Sequence, residues 1–211
     1  MMTRRLLQLL LGLAMYGVSL AMFIRAGLGL DPWDVFHQGL AVKTGLSIGT
    51  VVVIVSFLVL LLWIPLRQWP GIGTLCNAVL VGVFADVGLA LIPALSHLGG
   101  QIGMLAGAIL LNGIASACYI GARLGPGPRD GLMTGLARRT GWSVRASRTG
   151  IEVVVLGAGW LLGGSIGVGT VLYALAIGPL VQLLLPRFTV PEFKPKVPVV
   201  AADPAAARPV P

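Results

Sequence analysis

The sequence predicts an all-α polytopic membrane protein, with six transmembrane helices arranged as an inverted 3+3 repeat. Three observations point there: the apolar composition, the number of long uncharged runs, and self-similarity at an offset of 96 residues. Of the 211 residues, 56% are apolar and 10% charged, and the mean hydropathy is +0.94. A soluble domain of this size carries roughly a quarter charged residues. Too little polar surface exists here to face water, and the lipid bilayer is the expected partner. The net charge of +8 comes without any nucleic-acid motif, so nucleic acid is not expected. Basic residues on such a chain mark its cytoplasmic loops.

A helix needs about 20 mostly apolar residues to cross the hydrocarbon. Runs that meet this lie at about 6–24, 47–66, 71–92 and 99–121. From Thr149 to Pro186 the only charge is Glu152, but the stretch is too long for one span. The turn sequence GGSIG at 163–167 divides it into spans at about 147–163 and 166–186. With the N-terminus inside, thirteen of the fifteen Lys and Arg residues fall on the cytoplasmic side, leaving Arg25 and Lys43 outside. That bias predicts cytoplasmic N- and C-termini in a bacterial inner membrane. The first 21 residues also have the form of a secretory signal. Retention is expected, because the fourth span matches this segment in the repeat. Residues 187–211 hold six of the fourteen prolines and show no hydrophobic period. They are expected to form a cytoplasmic tail without a fold.

Shifted by 96 positions, the chain aligns with itself without a gap for more than fifty residues. Pro32 meets Pro128, Asp34 meets Asp130, and "GLAVKTGLS" (39–47) meets "GLARRTGWS" (135–143). "GIGT" (71–74) meets "GVGT" (167–170). Residues 1–93 and 99–186 therefore form two three-span units. An odd number of spans turns the second unit upside down, an arrangement common in secondary transporters.

Between the first two spans, Asp31-Pro32-Trp33-Asp34 reads as a helix start: a side-chain acceptor at the N-cap, Pro at N1 and an acid at N3. Gly127, Pro128 and Asp130 repeat it. Each helix should end at a glycine, Gly45 or Gly141. Asp34 and Gln38 share one face, as do Asp130 and Thr134. Trp33, Phe36 and Leu40 form an apolar stripe opposite, matched by Leu132 and Leu136. Two arrangements fit. These helices lie flat at the interface, or they dip in as re-entrant half-helices whose N-termini line a polar cavity. Arg129 in place of Trp33 would make such a cavity electrostatically lopsided.

Asp86 is the one acid deep inside a span, which makes it a functional candidate by default, with proton coupling as the natural role. Its repeat mate is Gln182. Asn77 and its mate Tyr173 lie deeper still, where interhelical hydrogen bonding and ligand binding are equally compatible with the pattern. Glu152, four residues after Arg148, reads as an interfacial ion pair. Gly99, Gly103 and Gly107 recur every four residues and predict close helix packing, a face that would also admit a homodimer. Cys76 and Cys118 sit in apolar runs as packing residues. No residue pattern suggests a metal site, a cofactor or catalysis, so an enzyme is not expected.

The stretches "GLGLDPWDVFHQGLAVKTGLSIGT" and "WIPLRQWPGIGTLCNAVLVGVFAD" resemble the YczE/YyaS/YitT group of bacterial integral membrane proteins over roughly residues 6–186. The resemblance implies a multi-span inner-membrane protein and carries no functional residue with it. The functional expectation is a secondary-transporter-like protein moving a small polar or charged solute. The alternative is an accessory or substrate-capture subunit of a larger membrane complex. Asp34, Gln38, Asn77, Asp86, Arg129, Asp130, Thr134 and Gln182 are the candidate solute- or ion-binding residues.

Overall fold

The computed structural model describes residues 2–191. Eight helices follow in order: α1 (Met2–Ala26), α2 (Pro32–Thr44), α3 (Ile48–Trp63), α4 (Ile72–Leu91), α5 (Leu98–Gly121), α6 (Pro128–Thr140), α7 (Val144–Leu161) and α8 (Val168–Phe188). Four of them, α1, α4, α5 and α8, are long and apolar enough to cross a membrane. A fifth span results if α2 and α3, bent by 114° at a short break, are counted together. The six spans expected are thus met by four or five on length and composition. Two helices fall short for physical reasons. The 16 residues of α3 reach only about 24 Å at the α-helical rise, against about 30 Å of hydrocarbon. The other, α7, carries Arg145, Arg148 and Glu152 within 18 residues.

The ends of the helices follow local chemistry. Asp31 accepts the Asp34 N–H at 2.8 Å. Ser47 and Ser143 accept the N–H groups of Thr50 and Ala146 at 3.2 and 3.1 Å. Gly45 and Gly141 close α2 and α6 in the left-handed conformation, at φ 72° and 76°, which glycine adopts without a Cβ penalty.

The centre of the bundle is α1, packed against α5 and α4. Leu9, Leu13, Tyr16 and Leu20 of α1 join Val81 and Ala85 of α4 and Ala115 and Tyr119 of α5 in one buried cluster. Gly17 lets α1 approach α4 so closely that a Cβ there would strike the Val81 carbonyl and the Ala85 N–H. The expected glycine packing on α5 is not found at Gly99 or Gly103, where a Cβ would meet nothing within 4 Å among the described residues. Gly107, the third of these glycines, does pack, against Met22, and Gly113 further along packs against Leu180. A further difference lies at the start of the expected tail. Arg187 and Phe188 complete α8, and Val190 is buried, its N–H donating to the Gly121 carbonyl at 2.9 Å. Gln8 donates to the Phe188 carbonyl at 2.6 Å and fastens this segment to α1. The remainder of the expected tail lies outside the described residues.

Candidate functional site

The segments leading into α2 and α6 are strapped to the starts of other helices. The Gly169 N–H donates to the Leu28 carbonyl at 2.7 Å, and the Gly73 N–H donates to the Leu124 carbonyl at 2.8 Å. Thr74 adds a hydroxyl bond to the Pro126 carbonyl at 2.7 Å. Trp63 of α3 donates its indole N–H to the Pro128 carbonyl at 2.9 Å. These ties place both N-termini in the interior, while the C-terminal ends at Gly45 and Gly141 are exposed.

The two N-termini meet there. Arg129 Nη1 lies 3.3 Å from Asp31 Oδ2, and Asp31 is 1% exposed. The guanidinium also sits over the Tyr16 ring at 5.4 Å. A cation in the first turn of a helix opposes the dipole of that helix. The carboxylate from the facing N-terminus offsets the conflict, and a buried pair of this kind holds only while both partners are present.

Two polar cavities adjoin this junction, and Trp33, Tyr119, Arg129 and Asp130 line both. The smaller holds about 50 Å³ and is completed by Tyr16, Asp34, His37, Ser56 and Asn77 among others. The larger holds about 210 Å³ and reaches Asp31, Ser116, Arg148, Glu152, Tyr173 and Gln182. Val52, Ser56, Asn77 and Val81 in the smaller cavity stand 96 positions before Arg148, Glu152, Tyr173 and Ile177 in the larger. A third groove, of about 940 Å³, is almost wholly apolar and runs between α2, α3, α6 and α7. It is lined by the apolar stripe expected from sequence: Trp33, Phe36, Leu40, Leu132 and Leu136.

The candidate residues divide between the cavities and the framework. Asp34, Asn77, Arg129 and Asp130 line the smaller cavity, and Gln182 lines the larger with Arg129 and Asp130. Asp130 Oδ2 accepts the Tyr119 hydroxyl at 2.5 Å. Gln38 points elsewhere and accepts the Ser165 N–H at 2.7 Å, bracing the turn between α7 and α8. Thr134 donates to the Gly131 carbonyl of its own helix at 3.2 Å and lines neither polar cavity. Asp86 is also apart. Its carboxylate accepts the Ser47 hydroxyl at 2.6 Å and the Gly49 N–H at 2.8 Å, joining α4 to the start of α3.

Several residues of the site escape a reading of the sequence. Asp31 reads there only as a helix cap, yet it is the buried half of the ion pair with Arg129. His37 lies 3.2 Å from Asp34 Oδ1. Arg148 and Glu152 form the expected pair at 2.8 Å, and the structure adds that both line the larger cavity. Tyr173 donates to Asn112 at 3.2 Å, and Asn112 donates to Ser19 at 2.9 Å, a buried polar chain beside the apolar core. The offset of 96 residues pairs Tyr16 with Asn112 and Asn77 with Tyr173. That was the one signal in the sequence capable of drawing these positions together. The assembled site offers charges of both signs and hydroxyl donors inside an apolar bundle, a surface suited to holding a small polar or charged species.

Among known proteins, the model of the family of unknown function DUF6198 matches residues 3–186. The uncharacterized membrane protein YczE of Bacillus subtilis is 40% identical over 173 residues, covering 82% of this chain and 80% of that protein. An uncharacterized protein of Haemophilus influenzae is 39% identical over 178 residues, covering 84% and 81%. The uncharacterized protein YyaS of Bacillus subtilis is 27% identical over 183 residues, covering 83% and 90%. No solved structure matches significantly. With the family model spanning most of the chain, and a relative described as a membrane protein, this multi-pass helical chain belongs to the DUF6198 family and is related to YczE and YyaS.

Proposed function

We propose that the protein is a secondary-transporter-like carrier of a small polar or charged solute, built as an inverted repeat of two three-span units. In this reading α3 and α7 cross the bilayer despite their shortness and charge, giving six spans. The first repeat is 1–93, the second 99–186, and both termini are cytoplasmic in an inner membrane. The helices α2 and α6 are then re-entrant half-helices entering from opposite sides.

The observation that carries this reading is the buried junction of the two half-helix N-termini, with a polar cavity on either side. Irregular backbone and buried charge at such depth are tolerated in a membrane where they line a cavity, and broken helices of this form commonly build transporter sites. Crossed ties between Leu28 and Gly169 and between Leu124 and Gly73, 96 residues apart at both ends, support the symmetry. A homodimer or a larger complex is compatible with this reading and is not needed for it.

The test is flux into liposomes reconstituted with the purified chain, across small amino acids, amines and carboxylates. Solute-dependent uptake that Asp130→Asn and Arg129→Gln impair is the expected result. Absence of flux for every class would sink the carrier reading in favour of an accessory or substrate-capture subunit.

A further inference from the structure

Among the described acids, Asp34 alone has a carboxylate oxygen that is buried without a hydrogen-bond partner. Asp31 accepts the Asp34 N–H on Oδ1 and meets Arg129 on Oδ2. Asp86 accepts from Ser47 and Gly49 on its two oxygens. Asp130 Oδ2 takes the Tyr119 hydroxyl, and Glu152 takes the Arg148 guanidinium. Asp34 meets only His37, through Oδ1 at 3.2 Å. Its Oδ2 is buried without a hydrogen-bond partner, in a side chain that is 6% exposed and lines the smaller cavity. A carboxylate buried with an unpaired oxygen is costly in its charged form and relieves that cost by taking up a proton or a cation.

The neighbours decide which. From the cap and body of its own helix Asp34 is faced by Asp31 and His37, from α6 by Arg129 and Asp130, from α1 by Tyr16 and from α5 by Tyr119. From α3 and α4 the facing polar groups, Ser56 and Asn77, are neutral. On the far side of the junction α7 and α8 bring Arg148, Glu152 and Tyr173. Arg129 is committed to Asp31 and Arg148 to Glu152. Among the described residues no Lys or Arg pairs with Asp34, while Asp31 and Asp130 add negative charge nearby. A metal cation would have to gather several oxygen ligands within about 50 Å³ of free space that the Arg129 guanidinium also lines. A proton adds no volume.

We propose that Asp34 is a proton-binding site facing the smaller cavity, with His37 as its positioning residue. The Nδ1–H of His37 donates to Oδ1 and holds the carboxyl group. A hydronium ion arriving in the cavity gives one proton to Oδ2 and leaves as water, and deprotonation reverses the step. This use of the proton, as the coupling ion of a carrier, rests on the transporter reading above. Protonation itself does not, and it is tested without transport.

The experiment is infrared difference spectroscopy of the full-length purified chain in lipid nanodiscs, titrated over pH in sodium-free buffer. The expected result is a protonated-carboxyl band that disappears on raising the pH, is lost in Asp34→Asn, and persists in Asp34→Glu and Asp86→Asn. His37→Gln should shift its midpoint. A monodisperse elution profile for each variant separates loss of the group from loss of the fold. A band that survives in Asp34→Asn overturns the proposal. So does a band abolished at constant pH by added sodium, since the site is then a metal-cation site. Absence of flux in liposomes with the band intact sinks the carrier reading and leaves the proton site standing.

Discussion

The α3–α4 pair and the α7–α8 pair occupy matching places in the sequence, 96 residues apart, yet one is closed and the other open. Gly49 on α3 lies so near Gly82 on α4 that a Cβ on either would strike the other's carbonyl oxygen. Asp86 seals the same contact through Ser47 and Gly49. At the matching positions of the second pair stand Arg145, Gly178 and Gln182. Among the described residues nothing lies within 4 Å of where a Cβ on Gly178 would be, and α7 and α8 barely touch. The 210 Å³ cavity occupies that space. Closure between these helices is thus decided by a few positions: two glycines that let backbones meet, and an acid with two donors in reach. Putting a long cation at the first of them removes the close approach.

The largest effect should come from the glycines themselves. Gly82→Leu forces bulk against a backbone carbonyl that has no room to yield, and is expected to cost about 3 kcal/mol of unfolding stability, while Gly178→Leu is close to neutral. Steric trapping or denaturant unfolding in bicelles measures both, and equal losses would break the comparison. Asp86→Ala removes two charge-assisted bonds and should cost about 1–2 kcal/mol, whereas Gln182→Ala costs little. The same pair of regions can be probed by thiol accessibility with Cys76 and Cys118 replaced by Ser. Val181→Cys should react with a water-soluble reagent and Ala85→Cys should not, unless Asp86→Ala is added. Labelling of Ala85→Cys with Asp86 intact would show that the first pair is not closed. A small effect is also expected for Arg148→Gln. Its pair with Glu152 is half-exposed, so the expected loss is below about 1 kcal/mol.

Much of the fold is legible in the sequence, and particular residues show where legibility stops. Pro32, Pro128, Gly45 and Gly141 mark the bounds of α2 and α6, because Pro at the first turn and a left-handed glycine after the last are properties of the local backbone. The turn at 163–167 is likewise local. Asp86 was the natural candidate for a functional acid, since depth in an apolar run is visible in sequence. Its two donors, Ser47 and Gly49, lie 39 and 37 residues away and are not visible there. The Asp31–Arg129 pair spans 98 residues, and a cap residue gives no sign of a partner at that distance.

The sequence by itself determined the helical, apolar character of the chain, the Pro and Gly bounds of α2 and α6, and the 96-residue correspondence between its halves. Each depends on the composition of short windows or on chain-to-chain comparison. Only the tertiary structure decided which faces meet. Helices α3, α4 and α8 are apolar almost all round, so no stripe of polar residues tells the core side from the lipid side. That choice is made by backbone proximity at Gly17, Gly49 and Gly82 and by buried polar ties such as Leu28–Gly169. The same choice brings Asp34 and Arg129 to one junction and sends Gln38, Thr134 and Asp86 away from it.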